Sequence, residues 1–238
     1  MNRREILRNT FAMAAWSAIE SKRVWGANDR VRMGLIGSGG RGKQDWATFL
    51  KQPDVEPVAV CDLYDPFREK GIEMTGGRAK GYQDFRKVLD QKDIDAVIVA
   101  VPDHWHALMT VDACSAGKDV YCEKPLSLTV VDGRKMVTAA RKYNRVVQTG
   151  SQQRSGSHYA QAVKLIQDGG IGEVHRIQAG MQRNIFPGLK PTEMANGPIA
   201  SFDWDMWLGP APKRPFDPFR CIYNFRWFWD YSGGQMTN

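Results

Sequence analysis

Residues 31–42 read VRMGLIGSGGRG, an apolar run that breaks into Gly37-x-Gly39-x-x-Gly42. A near-continuous apolar run is what a parallel strand covered on both faces requires. A second such run, VEPVAVC at 55–61, ends in Asp62, twenty residues past the last glycine. Strand, glycine-rich turn, helix, strand and acid in this order form the layout of a dinucleotide-binding βαβ unit. Gly37 permits the tight turn, Gly39 lets backbone approach a pyrophosphate, and Gly42 permits close helix-to-strand packing. The pyrophosphate would rest on the uncapped N–H groups of the helix, cradled by Gly37, Ser38, Gly39, Gly40, Arg41 and Gly42. Asp62 is placed to accept hydrogen bonds from the adenosine ribose diol, and its charge would repel a 2′-phosphate. NAD is therefore expected over NADP, with the Arg41 guanidinium, able to hold a phosphate, as the opposing feature.

The same residues come close to a phosphate-binding P-loop, because Gly37 is followed after four residues by Gly42-Lys43. That motif needs a Ser or Thr hydroxyl next, for Mg²⁺, and this chain has Gln44. A nucleotide-hydrolase reading also leaves Asp62 without a role.

Strand and helix signals alternate from residue 31 to residue 150, the pattern of a doubly wound parallel sheet in the α/β class. Helical periodicity covers 42–52, 66–74, 84–89, 104–116 and 130–143. Further strands are expected at 96–101, 120–122 and 146–149. Beyond residue 150 come a helix over 157–168, a glycine-rich turn and an alternating strand over 173–183. A proline-rich stretch follows, with nearly half of the chain's aromatic residues between Phe202 and Tyr231. It either builds a second core or lines a site. The expected divisions are a leader at 1–28, a dinucleotide-binding domain at 29–150 and a partial substrate or oligomerisation domain at 151–238.

The net charge of +7 on 238 residues raises the question of nucleic acid. Three of those charges belong to the first thirty residues, and no basic block interleaved with aromatics follows, so no nucleic-acid partner is expected. The N-terminus carries Arg3-Arg4 and then a mildly apolar stretch over 11–19, the layout of a twin-arginine export signal, which would deliver a folded protein to the periplasm. The competing reading is an amphipathic or disordered N-terminal tail on a cytoplasmic protein. The stretch is too short to span a bilayer. Cys61, Cys114, Cys122 and Cys221 show no C-x-x-C spacing and are expected to be buried thiols.

Ligands in doubly wound sheets sit beyond the carboxyl ends of the strands. After the strand at 96–101 the chain reads Pro102-Asp103-His104-Trp105-His106, and after the next strand Glu123-Lys124-Pro125. No metal is expected at His104 and His106, since residues two apart do not share a helix face and no further ligand cluster accompanies them.

With the glycine turn, these motifs resemble the glucose–fructose oxidoreductase/inositol dehydrogenase family (Gfo/Idh/MocA), whose hallmark is a Glu-Lys-Pro tripeptide at a strand end. The resemblance runs from Val31 to the end of the chain. Trp204-Asp205-x-Trp207-Leu208-Gly209-Pro210 and Arg226-Trp227-x-Trp229-Asp230-Tyr231-Ser232-Gly233-Gly234 look like the exported bacterial branch of that family. The resemblance implies NAD(P)-dependent hydride transfer at a secondary alcohol of a sugar, polyol or glycoside. Lys124 would be the catalytic acid/base, and Glu123 would contact the nicotinamide ribose or orient Lys124. Pro102 and His106 would line the nicotinamide pocket. His104 and Trp105 read as packing at the start of a helix. Gln153 and Arg154 fall where the family's substrate site begins, although Arg154 equally suits an interdomain salt bridge. Trp204, Trp207, Trp227 and Trp229 either stack on sugar faces or form core.

The resemblance further implies an open, mainly antiparallel second sheet, homo-oligomers of the full-length protein, and a second acid/base histidine just after the stretch matching Gly233-Gly234. The chain stops at Asn238, so a fragment of a longer reading frame with an incomplete α+β second domain is expected. Two other functions stay open: glycoside cleavage through transient oxidation by a tightly held NAD, and dinucleotide binding without turnover.

Overall fold

The computed structural model describes residues 30–180 and 200–234. Its centre is a six-stranded sheet of β1 (Val31–Ile36), β2 (Val55–Cys61), β3 (Lys80–Tyr82), β4 (Ala96–Val99), β5 (Asp119–Glu123) and β6 (Val147–Gly150). The strands are all parallel and lie in the order β3-β2-β1-β4-β5-β6. The order reverses at β1, and the neighbouring β1 and β4 diverge into connections on opposite sides. That crevice is where open α/β sheets take their ligands.

The connecting helices are α1 (Gly40–Phe49), α2 (Asp65–Glu73), α3 (Phe85–Leu89), α4 (Asp103–Ser115) and α5 (Val130–Lys142). Each lies within three residues of its expected bounds. Strand alternation divides the core between the two faces. Ile36, Val97 and Val99 pack with Phe85, Trp105 and Met109 on one side. Leu35, Ile98 and Val60 pack with Trp46 on the other. The short β3 carries no apolar periodicity and was not among the expected strands. It forms because Ala59, Val60 and Cys61 offer it a parallel partner.

Beyond the sheet come a 3₁₀ turn (Gln152–Ser155) and α6 (Ser157–Gln167), whose residues are all exposed apart from Gly156 before it. The strand expected over 173–183 is not formed in its described part. Residues 173–180 are exposed and irregular, with no strand among the described residues paired to them, and 181–183 lie outside the described residues. So does the proposed leader.

The aromatic segment builds a core of its own at the carboxyl edge of the sheet. Phe202, Trp207 and Leu208 of α7 (Trp204–Leu208) pack with Phe225 and Tyr231, and against Leu63 and Tyr64 beyond β2. Trp204 and Trp207 stack on each other, ring centroids 4.8 Å apart. Core is thus the structural outcome for this pair, whereas Trp229 is 86% exposed. All four cysteines are buried free thiols. Among the described residues no helix is long and apolar enough to cross a membrane.

Candidate functional site

The turn from β1 into α1 is built around two glycines that tolerate no side chain. Gly37 has φ +87°, and a Cβ there would stand 2.4 Å from the Ala100 carbonyl oxygen. A Cβ on Gly42 would stand 1.8 Å from the carbonyl oxygen of Gly37. Gly39 is the N-cap of α1 and supplies no side-chain cap, so the first-turn N–H groups remain available to an anion. Gly37, Gly39, Gly40 and Arg41 form one wall of a cavity of about 690 Å³. That size suits a cofactor pocket, which typically measures about 300–1,000 Å³.

Asp62 lines the same cavity. Its Oδ2 accepts hydrogen bonds from Ser38 N (2.7 Å) and Ser38 Oγ (3.3 Å), and its Oδ1 accepts one from Tyr64 N (2.9 Å). Burial pushes the carboxyl upward, against the pull of these donors. Oδ1 retains a lone-pair site for a ligand hydroxyl. Ser38 is fully buried and bonds to Asp62 instead of lining the cavity. Gly42 likewise lies behind the wall, holding α1 against the turn.

The opposite wall comes from the ends of β4 and β5. Pro102, Asp103, Glu123 and Lys124 all line it. Lys124 is half-buried, and burial lowers its pKa; Glu123 pulls the other way, and Arg226 and Arg41 reinforce the lowering. The Lys124–Pro125 peptide bond is cis. Glu123 is buried, and its Oε2 accepts the Lys124 backbone N–H at 3.0 Å. Glu123 Oε1 lies 3.0 Å from Arg41 Nε, so the glycine turn and the lysine are joined through one carboxylate. Arg41 also pairs with Asp45, one helical turn on, at 2.5 Å. Sequence reasoning passed over Asp45, although its four-residue spacing from Arg41 on a helix was the available signal.

His106 lies behind the cavity wall as well. It is 1% exposed and absent from the cavity wall. Its Nδ1 lies 2.7 Å from the Pro125 carbonyl and its Nε2 2.9 Å from the Val101 carbonyl, so the ring braces the two loops that carry Pro102 and Lys124. His104 and Trp105 pack at the start of α4, as expected, and both ring nitrogens reach the Trp207 carbonyl oxygen, at 3.2 and 2.8 Å. Asp103 Oδ2 accepts the Ser232 hydroxyl at 2.5 Å. These contacts bring Trp207, Tyr223 and Arg226 over the cavity. Gln153 and Arg154 are exposed on the 3₁₀ turn, and neither reaches the cavity.

Comparison with known proteins agrees with this geometry. Residues 31–151 match the profile described as "Oxidoreductase family, NAD-binding Rossmann fold", and residues 156–238 match the same family's "C-terminal alpha/beta domain". An inositol 2-dehydrogenase of Klebsiella pneumoniae subsp. pneumoniae is 32% identical over 184 residues, 75% of this chain and 54% of that protein. A glycosyl hydrolase family 109 protein of Stenotrophomonas maltophilia is 28% identical over 221 residues, 88% of this chain and 48% of that protein. The crystal structure of a myo-inositol 2-dehydrogenase from Lactobacillus plantarum superposes with a TM-score of 0.57 at 29% identity, covering 61% of this chain and 43% of the other. The chain spans about half the length of the curated relatives it matches.

Proposed function

The chain belongs to the Gfo/Idh/MocA oxidoreductase family, and from that premise we propose that it transfers a hydride between NAD and a secondary alcohol of a sugar, polyol or glycoside. The observation that carries this reading is the meeting, in one cavity, of the Gly37–Arg41 turn, the Asp62 carboxylate and a half-buried Lys124. Each has a role the chemistry demands. The α1 N-terminus and Arg41 bind a pyrophosphate, and Asp62 accepts from a ribose hydroxyl, which favours NAD over NADP. NAD, when bound, supplies the hydride acceptor. Lys124 Nζ takes the proton of the substrate hydroxyl as its carbinol carbon is oxidised, and returns it in the reverse direction. A pKa lowered by burial brings the amine toward the range in which it can do both. Glu123 and His106 hold the strand end that aims it.

The test is a two-stage assay: quenching by NADH for binding, then a screen of inositols, aldoses and glycosides for NADH formation. Binding with turnover on a polyol or sugar supports the reading. Failure to bind NADH overturns it. A second reading, glycoside cleavage by transient oxidation, draws support from the glycosyl hydrolase family 109 relative. Release of free sugar without net NADH distinguishes it. NADH binding with no turnover on any carbohydrate would leave a dinucleotide-binding module.

Export through a twin-arginine route is part of the same proposal, supported by Arg3-Arg4 and the apolar stretch that follows. Attaching residues 1–30 to a reporter that needs folded export, and replacing both arginines by lysine, tests it.

A further inference from the structure

Asp45 has no role in the chemistry above, yet it is one of the most buried carboxyls in the protein, 5% exposed. Arg41 Nη2 contacts its Oδ1 at 2.5 Å, while Nε of the same guanidinium lies 3.0 Å from Glu123 Oε1. One cation therefore serves two buried acids. Neither Asp45 Oδ2 nor Glu123 Oε1 accepts a well-formed hydrogen bond from any described group. The two carboxyls also meet side chain to side chain, a contact that becomes a hydrogen bond only when one of them holds a proton. The surroundings favour that state. Burial first, and the charge of Glu123 second, raise the Asp45 carboxyl to about 7. The other charged or titratable groups facing the cluster are Tyr121, which bonds to Arg41, and Lys124. Gly150 closes the remaining side, where a Cβ would stand 2.5 Å from Glu123 Oε1.

We propose that Asp45 is a positioning residue for the cofactor: Asp45 and Glu123 share one proton, and the pyrophosphate of a dinucleotide binds tightest while that proton is present. The reason is electrostatic. With both acids ionised, the Arg41–Asp45–Glu123 triad carries one net negative charge behind the turn that must receive a phosphate. A proton on the pair removes that charge whichever state the neighbouring Lys124 is in. With one proton held, the cluster is neutral, and the guanidinium, which lines the cavity, is less compensated toward the ligand. Binding and protonation are then linked, and the linkage is reciprocal.

This proposal rests on the dinucleotide reading, and one experiment separates the two. NADH affinity is measured by fluorescence quenching from about pH 6 to about pH 8.5, with calorimetry in two buffers of different ionisation enthalpy to count protons taken up. The parent chain is expected to bind roughly tenfold more weakly at the alkaline end, since a tenfold change matches about one pKa unit of differential interaction. It is also expected to take up protons on binding, and Asp45→Asn should flatten the pH profile. NADH binding that is independent of pH in the parent, or a slope that survives Asp45→Asn, overturns the role of Asp45 and leaves the cofactor site standing. No NADH binding at any pH overturns the cofactor reading, and the linkage with it.

Discussion

His104 and His106, two residues apart at the start of α4, are held in opposite protonation states. Burial leaves His104 neutral and lowers it to about 4, with the Trp207 carbonyl pulling weakly the other way. Burial also opposes charge on His106, but Cys122, Asp103 and the Pro125 carbonyl outweigh it and raise the ring to about 9. Geometry agrees, because both nitrogens of His106 face carbonyl oxygens and only an imidazolium can donate to two of them.

The combined contribution of the two histidines to stability should therefore be largest near pH 6.5, the ordinary histidine value, on top of an Asp45 contribution that is lost as pH rises toward about 7. The folded state binds a proton at His106 more tightly than the unfolded chain does, so that contribution is complete below about pH 6.5 and is lost as pH rises toward about 9. His104 has the reverse sign: its contribution is complete above about pH 6.5 and is lost as pH falls toward about 4. Each limb is on the order of 3 kcal/mol. Denaturant titrations of the parent against each single-histidine variant read the two limbs by difference, and His106→Leu should remove the alkaline limb. An alkaline limb that survives that substitution would falsify the assignment.

Lys124→Ala should abolish turnover while NADH affinity stays within a few-fold, because in the proposed mechanism the amine meets the reacting hydroxyl and the pyrophosphate is held elsewhere. Single-turnover assays beside quenching titrations separate the two. Loss of binding without a matching loss of chemistry would sink the role given to Lys124.

Asp62→Ala should weaken NADH binding about tenfold and narrow the preference over NADPH. Ser38→Ala should cost less, about 0.5–1 kcal/mol of binding, since Asp62 loses one hydroxyl donor and keeps the two backbone amides. The ratio of the two dissociation constants for each variant is the readout, and an unchanged ratio for Asp62→Ala counts against the ribose contact.

The glycines of the turn should differ sharply. Gly42→Ala places a methyl against backbone and should destabilise by about 1–3 kcal/mol or more. Gly40→Ala meets nothing within 4 Å and should stay within about 1 kcal/mol of the parent. Thermal melts of the two variants decide it, and equal losses would contradict the packing described.

The sheet was legible because it is local: apolar runs, glycine turns and helical periodicity recur along 31–150, and each needs only neighbours in sequence. The cavity was half legible. Gly37, Asp62 and Lys124 follow from where strands end, whereas the inward turn of Ser38, the brace formed by His106 and the Arg41–Asp45–Glu123 cluster depend on which side chains meet across elements. Spacing alone does not encode that. The described part of the strand expected over 173–183 is irregular for a related reason, since alternation marks a chain that can pair and says nothing of whether a partner is beside it.

The carbonyl oxygen of Trp207 receives His104 and Trp105 across separations of 103 and 102 residues. Bringing such distant points together costs about 4 kcal/mol in chain entropy beyond a length-independent constant, about 1 kcal/mol more than closing the roughly 25-residue crossover between β1 and β2. Non-local contacts are slow to form in proportion to that separation. Trp207, Tyr223 and Arg226 lie after all six strands in the chain, so the wall they give the cavity is the last part of that cavity to be synthesised.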